Sequence, residues 1–383
     1  MTGSLLKEPV SLYIHVPFCS KKCPYCHFFI LPDSKENQTF FLEHLQKEWL
    51  IRSPLLQDKE IVSIYFGGGT PSLLPAESIE MILSWIKSGP APLSSHCEIT
   101  LEANPEKTEK NLMQDFFKAG INRVSLGVQS FDDSLLKLLG RTHDSHAAKK
   151  AVEAVYEAGI TNISIDLMYE LPFQTVLQWE KSVQEAIKLP ITHLSLYNLT
   201  FEPGTVFYKK QKTLSKNLPS QEEAVAMLNI ATSLFPTAGL NRYEISAFAK
   251  NNLFSVHNIG YWTARPFIGL GPSAFSYFHN RRFRNIPHLK KWAEQITQGI
   301  LPEDFEETLD LASRQKELLA VELRLLQGVD FPSFIQKHSP LSKELEQSIQ
   351  KNIQNGYLQF SGPILSLTKQ GLLFYDSVAE ELI

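Results

Sequence analysis

Six short runs rich in aliphatic, β-branched and aromatic residues, at 12–16, 62–66, 98–102, 123–128, 163–168 and 193–197, constrain this chain more than any other feature. Longer polar stretches of helical period lie between them, at 39–51, 112–119, 146–158 and 179–188. That alternation predicts βα units, which assemble into a parallel sheet with right-handed crossovers. Six strands wrapped around a small molecule imply a partly open barrel rather than a closed eight-stranded one. The expected fold class is α/β, a partial (β/α)6 barrel, whose reactive residues belong at the carboxyl ends of the strands.

The suspicious residues sit at those ends. Cys19, Cys23 and Cys26 follow the first run, and only Cys97 lies elsewhere. Thiolates select zinc, copper(I) or iron–sulfur clusters. Spacings of four and three positions let one loop hold three irons of a [4Fe–4S] cubane, leaving the fourth iron open. A zinc site is the competing reading, with His15, His27 or Cys97 as fourth ligand. His27 directly follows Cys26, so those two side chains diverge. A disulfide framework fails because three clustered cysteines cannot all pair. Cys97, in a strand pattern, reads as a small core residue. The second run ends in Tyr65-Phe-Gly-Gly-Gly-Thr-Pro-Ser72, where bare backbone admits close approach by a ligand. The third to fifth runs carry Glu102, Gln129 and Asp166, a rim suited to a polar, hydroxyl-rich molecule.

At 383 residues, a large domain plus a small one is expected: a core at 1–236, a connecting segment at 237–295 and a C-terminal unit at 296–383. Helical stretches at 313–326 and 341–355, then strands at 358–360 and 364–367, suggest a winged-helix-like unit whose last helix Thr368 caps. A net charge of −4 argues against a nucleic-acid partner. Arg281-Arg282-Phe283-Arg284 is a local exception, read as a solvated face or a site that meets carboxylates or phosphates. The N-terminus lacks the basic start and apolar stretch of a signal peptide, and no run approaches 18 apolar residues. Cytoplasm is the expected compartment, without a transmembrane segment.

Tyr13-Ile-His-Val-Pro-Phe, then Cys-x-x-x-Cys-x-x-Cys, then Gly67-Gly-Gly-Thr-Pro-Ser72 resembles the radical S-adenosylmethionine (SAM) superfamily. Within it the chain is similar to the group related to oxygen-independent coproporphyrinogen III oxidase, and the barrel is then a radical-SAM barrel. The resemblance implies a [4Fe–4S] cluster on Cys19, Cys23 and Cys26, with SAM chelating the open iron. It implies Tyr25 beside the adenine, and Tyr13 with the Gly68-Gly69-Thr70 backbone along the methionine end. Glu102, Gln129, Arg141 and Asp166 match the remaining SAM contacts; Arg141 suits a carboxylate, and Gln129 and Asp166 suit ribose hydroxyls. In this superfamily one electron from the cluster cleaves SAM to methionine and a 5′-deoxyadenosyl radical, which abstracts hydrogen.

Two branches of that group compete. True coproporphyrinogen dehydrogenases have a longer N-terminal arm and a further cysteine two residues after the last ligand; here that position is Phe28, and 18 residues precede Cys19. The haem-chaperone branch lacks both and carries His-Asn-x-x-Tyr-Trp, intact here at 257–262. The resemblance therefore implies a chaperone that binds haem and passes it to apo-haemoproteins, with respiratory enzymes at the membrane and a homodimer among its partners. The alternative is an oxidase forming protoporphyrinogen IX. In the chaperone reading His257 offers an imidazole to haem iron, Tyr261 and Trp262 stack on the porphyrin, and Arg281, Arg282 or Arg284 meets propionates. The opposing reading makes this motif a packed turn in which His257 only hydrogen-bonds. Two departures from the family pattern stand out: Glu170-Leu-Pro-Phe173 replaces Gly-Leu-Pro-Gly, and His27 stands where an acidic residue is common.

Overall fold

The computed structural model describes residues 7–338 and 340–383, so the first residues, read above for a targeting signal, lie outside the described residues. Strands β1 (Glu8–Val16), β2 (Lys59–Gly68), β3 (Leu93–Ala103), β4 (Arg123–Gln129), β5 (Asn162–Tyr169) and β6 (His193–Asn198) pair in parallel in that order. Helices α1 (Lys35–Arg52), α2 (Ala76–Lys87), α3 (Lys110–Ala119), α4 (Ser145–Glu157) and α5 (Val176–Ala186) connect them. The partial barrel expected from the sequence is therefore what forms. Helix starts are set locally: Ser34 accepts from Asn37 N at 3.2 Å before α1, and Thr175 with Gln178 forms a capping box before α5.

Parallel strands buried on both faces usually read as unbroken apolar runs. These do not. Leu12, Ile14, Ile64, Phe66, Leu101, Val124, Leu126, Ile163, Ile165 and Leu194 are fully or almost fully buried on one set of alternate positions, in the core shared with the helices. The intervening positions are Ser11, Tyr13 and His15; Ser63, Tyr65 and Gly67; Glu98, Thr100 and Glu102; Arg123, Ser125 and Gly127; Ser164 and Asp166; His193 and Ser195. Because side chains alternate across a strand, this second set faces inward and gives the barrel a polar lining.

Residues 237–295, read from the sequence as a connecting segment, add five strands to the same sheet: β7 (Asn241–Glu244), β8 (Ala247–Ala249), β9 (Phe267–Leu270), β10 (Phe275–Phe278) and β11 (Arg281–Asn285). With β12 (Glu303–Thr308), the order becomes β12-β11-β10-β9-β1-β2-β3-β4-β5-β6-β8-β7. β9 is a seventh parallel strand, beside β1. Its short crossover contains helix α6 (Val256–Trp262), which carries the His-Asn-x-x-Tyr-Trp motif.

A second apolar core begins at Leu318 and runs through Phe334, Leu345, Ile349, Leu365 and Val378. It is built from helices at Leu311–Glu322, Phe331–His338, Lys343–Gln354 and Tyr375–Leu382 and a three-stranded antiparallel sheet, the winged-helix-like arrangement expected. Thr368 caps the helix Lys369–Leu373, accepting from Gly371 N at 3.0 Å. No helix among the described residues is long and apolar enough to cross a membrane.

Candidate functional site

The carboxyl ends of the barrel strands converge on one cavity of about 410 Å³, within the range of small-molecule and cofactor pockets. Cys19, Cys23, Cys26, Tyr25, Gly68, Gly69, Thr70, Glu102, Gln129, Arg141 and Asp166 all line it. All three cysteines are half-buried and unpaired. No three His, Cys, Asp or Glu side chains among the described residues converge on a single ion. Three thiols on one loop at the wall of an open cavity are soft ligands available to a metal centre.

A chain of hydrogen bonds links two of the cysteines. Asn104 Nδ2 donates to Thr70 Oγ1 at 2.9 Å, leaving the Thr70 hydroxyl free to donate to Cys19 Sγ at 3.4 Å. Arg141 donates to Asn104 Oδ1, to the Gly127 carbonyl at 2.9 Å and to Cys23 Sγ at 3.6 Å. Both sulfurs thus receive donors, the arrangement a thiolate requires. Burial pushes the Cys19 and Cys26 thiols up, so their deprotonation calls for a bound cation, which a metal cluster supplies. The Arg141 Nε atom is buried without a partner among the described residues, at the wall of the cavity. These residues fit a cluster and a carboxylate-bearing ligand.

The glycine run meets its own chain. Gly69 N donates to Val16 O at 2.8 Å and Thr70 N to Phe18 O at 2.7 Å, and a Cβ on Gly69 would stand 2.5 Å from Phe18 O. Gly68 has φ +103 and lies against the His15 ring, 2.5 Å from where its Cβ would be. The bare backbone therefore seats the cysteine loop against β2, while Gly68, Gly69 and Thr70 still present an edge to the cavity. His15 closes that junction, bonding Tyr13 Oη at 3.0 Å and Phe29 O at 2.9 Å.

On the floor, Glu102 accepts from Tyr65 Oη at 2.7 Å and Gly68 N at 3.2 Å. Burial, with Asp166 adding to it, pushes its carboxyl up to about 7. Burial likewise raises Asp166 to about 6, against hydrogen bonds from Ser195 and Ser125. Gln129, on the cavity wall, has φ 68, a left-handed conformation that costs a non-glycine residue free energy. Tyr13 is not part of the lining; it stacks behind, 6.3 Å from Tyr65.

His257 also lies outside the cavity lining. It is buried, with Nδ1 3.0 Å from Ser63 Oγ and Nε2 2.9 Å from Tyr261 Oη. Burial, then Arg265 and Arg123, lower its pKa to about 3. In this conformation neither ring nitrogen is open to an iron. The three nearby arginines are not free either: Arg281 pairs with Glu303 and Glu306, Arg282 with Glu307 and Glu317, and Arg284 with Asp304. The acidic strand β12 neutralises the cluster that the sequence offered to propionates.

The family profile described as Radical SAM superfamily matches residues 13–186, and that of the HemN C-terminal domain matches residues 309–374. Over 371 residues the chain is 32% identical to the heme chaperone HemW of Bacillus subtilis, covering 96% of this chain and 97% of that one. Over 378 residues it is also 32% identical to the heme chaperone HemW of Escherichia coli, covering 97% of each. The chain belongs to the HemW family of radical SAM proteins. Its fold is similar to the solved Escherichia coli coproporphyrinogen III oxidase (HemN), with a TM-score of 0.85 at 21% identity over 98% of this chain and 90% of that one.

Within this HemW-family fold, sequence reasoning missed Asn104, Ser125, Tyr197 and Asn198, all on the cavity wall. Their signal was present. Asn104, Ser125 and Tyr197 fall on the inward register of their strands or just beyond the strand end, which the alternation Ser-Leu-Tyr-Ile-His or Glu-Ile-Thr-Leu-Glu marks, whereas Asn198 is the last residue of β6 and off that register. The loop that departs from the family glycines keeps the backbone glycine would favour, with φ 56 at Glu170 and φ 67 at Phe173.

Proposed function

We propose that this chain holds a [4Fe–4S] cluster on Cys19, Cys23 and Cys26, binds SAM in the cavity beside it, and carries haem for delivery to apo-haemoproteins. The observation that carries the cofactor part is the bond chain from Cys19 through Thr70, Asn104 and Arg141 to Cys23, opening on the same cavity as Glu102, Gln129 and Asp166. Thr70 and Arg141 hold the sulfurs as thiolates. Arg141, with Nε unpaired, meets the SAM carboxylate; Glu102 is an acceptor for its ammonium; Gln129 and Asp166 orient ribose hydroxyls; and Tyr25, packed on Phe207 at 6.2 Å, sits beside the base. When bound, the cluster supplies a single electron to SAM. The haem part rests on the relatives, whose names give them as heme chaperones.

The test is anaerobic. Reconstituted protein is offered haem and coproporphyrinogen III separately, with SAM and a reductant. Stoichiometric haem binding and transfer to an apo-haemoprotein, without protoporphyrinogen formation, is the expected result. Turnover of coproporphyrinogen with consumption of SAM would replace the chaperone reading with an oxidase.

A further inference from the structure

We infer that His257 is a positioning residue for the SAM cavity: through the ring of Tyr65 it fixes the carboxylate of Glu102. The inference rests on the reading of that cavity as the SAM site. A carboxylate on a cavity floor can orient a ligand only if its own rotamer is held. Glu102 is held at both oxygens, by Tyr65 Oη and Gly68 N. Gly68 is fixed by the backbone of β2, but Tyr65 Oη swings with its ring. That ring packs in a three-ring cluster with Tyr13, stacked at 6.3 Å and 26°, and the imidazole of His257, at 4.9 Å and 32°, these two standing 6.4 Å from each other.

The imidazole cannot turn. Arg265 Nη1 donates to Ser11 Oγ at 3.3 Å, and Ser63 donates to the same oxygen at 2.8 Å. Ser63 Oγ is left to accept from His257 Nδ1–H, and Nε2 then accepts from the Tyr261 hydroxyl. The tautomer and the ring plane are both specified. Glu98, four residues before Glu102 on β3, accepts from Val256 N and His257 N at 3.0 Å each, tying the first turn of α6 to the barrel wall. Arg123 faces Glu98 at 3.7 Å. The motif thus reaches the cavity from below, through one aromatic contact and one hydrogen bond, without touching the ligand.

The experiment uses reconstituted full-length protein and the variants His257→Ala, Tyr65→Phe and the double. SAM affinity is measured by anaerobic equilibrium dialysis across pH, with iron and sulfide content as a control. The expected results are about a tenfold loss of affinity in each single variant and a double variant little worse than either. Cluster content should hold, and the acid limb of binding should move up by about one pH unit as Glu102 loses its donor. The Glu102 carboxyl is also titrated by carbon-13 NMR in SAM-free protein, where its midpoint should rise in His257→Ala. Wild-type SAM affinity with an unmoved Glu102 titration in both single variants overturns the inference. Lowered thermal stability with an unmoved titration does so too, since that is a merely structural role. If wild-type protein does not bind SAM, the cavity reading falls and the Glu102 titration alone decides the positioning role. Tyr65→Phe keeps the decision open should His257→Ala fail to fold.

Discussion

Glu102 and Asp166 share the cavity floor, and burial raises both carboxyls, to about 7 and about 6. A carboxyl raised in the folded state keeps its proton there while the unfolded chain, with a value near 4.3 for Glu, has lost it. The stability Glu102 allows is therefore fully present below about pH 4.3 and declines as pH rises to about 7, where the folded state also ionises. Asp166 acts in the same direction over a lower window. Ligand-free protein should accordingly lose on the order of 3 kcal/mol across pH 4.5 to 7.5 from Glu102 alone. Glu102→Gln should flatten the upper part of that decline. Urea unfolding at half-unit pH steps measures it, and an unchanged slope in the variant would show that Glu102 titrates normally. The same burial that makes these residues costly in the empty protein makes them sensitive to a cationic ligand.

At the scale of elements, two loops carry opposite backbone demands. A methyl group at Gly69 would be forced against the backbone of Val16 and Phe18, not against a movable side chain. Gly69→Ala should cost about 2–3 kcal/mol and release the cysteine loop from β2, read as iron lost on gel filtration after reconstitution. Phe173 presents the reverse case. Its φ is 67, the residue is 58% exposed, and its N–H donates to Asn217 O at 2.7 Å. Phe173→Gly keeps that bond, relieves the left-handed strain and should stabilise by about 1 kcal/mol in thermal unfolding. The glycine run announced itself in the sequence as a place where backbone must lie bare, but not that its neighbour would be the β1 loop. Strand identity and strand-end chemistry were legible because period and turn residues are local. The pairing of β9 with β1, the polar lining and the burial of His257 depend on contacts between distant segments, such as Ser63 with His257. Nor did Arg281-Arg282-Phe-Arg284 show that the acidic residues 303–307 would lie opposite.

At the scale of the molecule, two apolar cores meet at Arg324. Its guanidinium lies 4.2 Å from the Trp262 ring centroid, on the motif helix, and 5.1 Å from that of Tyr375 in the C-terminal unit. It stands 3.5 Å from the buried carboxylate of Glu244 and donates to Ser246 Oγ at 3.3 Å. Main-chain bonds repeat the link, from Ile245 N to Arg324 O and from Leu326 N to Tyr243 O. One cation thus joins strand β7, helix α6 and the last helix. Exposed ion pairs contribute little, but removing one partner of a buried pair leaves an uncompensated charge. Arg324→Ala should therefore cost about 3 kcal/mol above neutral pH. Burial raises the Glu244 carboxyl even with Arg324 beside it. Without the arginine it should rise further, so the loss should shrink as pH falls and Glu244 takes up a proton. Arg324→Lys keeps the charge but not the planar stack on Trp262 and Tyr375, and should recover only part of the stability. If the seam couples the cores, wild-type protein unfolds in one transition and Arg324→Ala in two, the C-terminal core melting first. Denaturant titrations followed by tryptophan fluorescence and far-UV circular dichroism distinguish these outcomes; coincident single transitions in both proteins would mean that the main-chain bonds alone hold the units together.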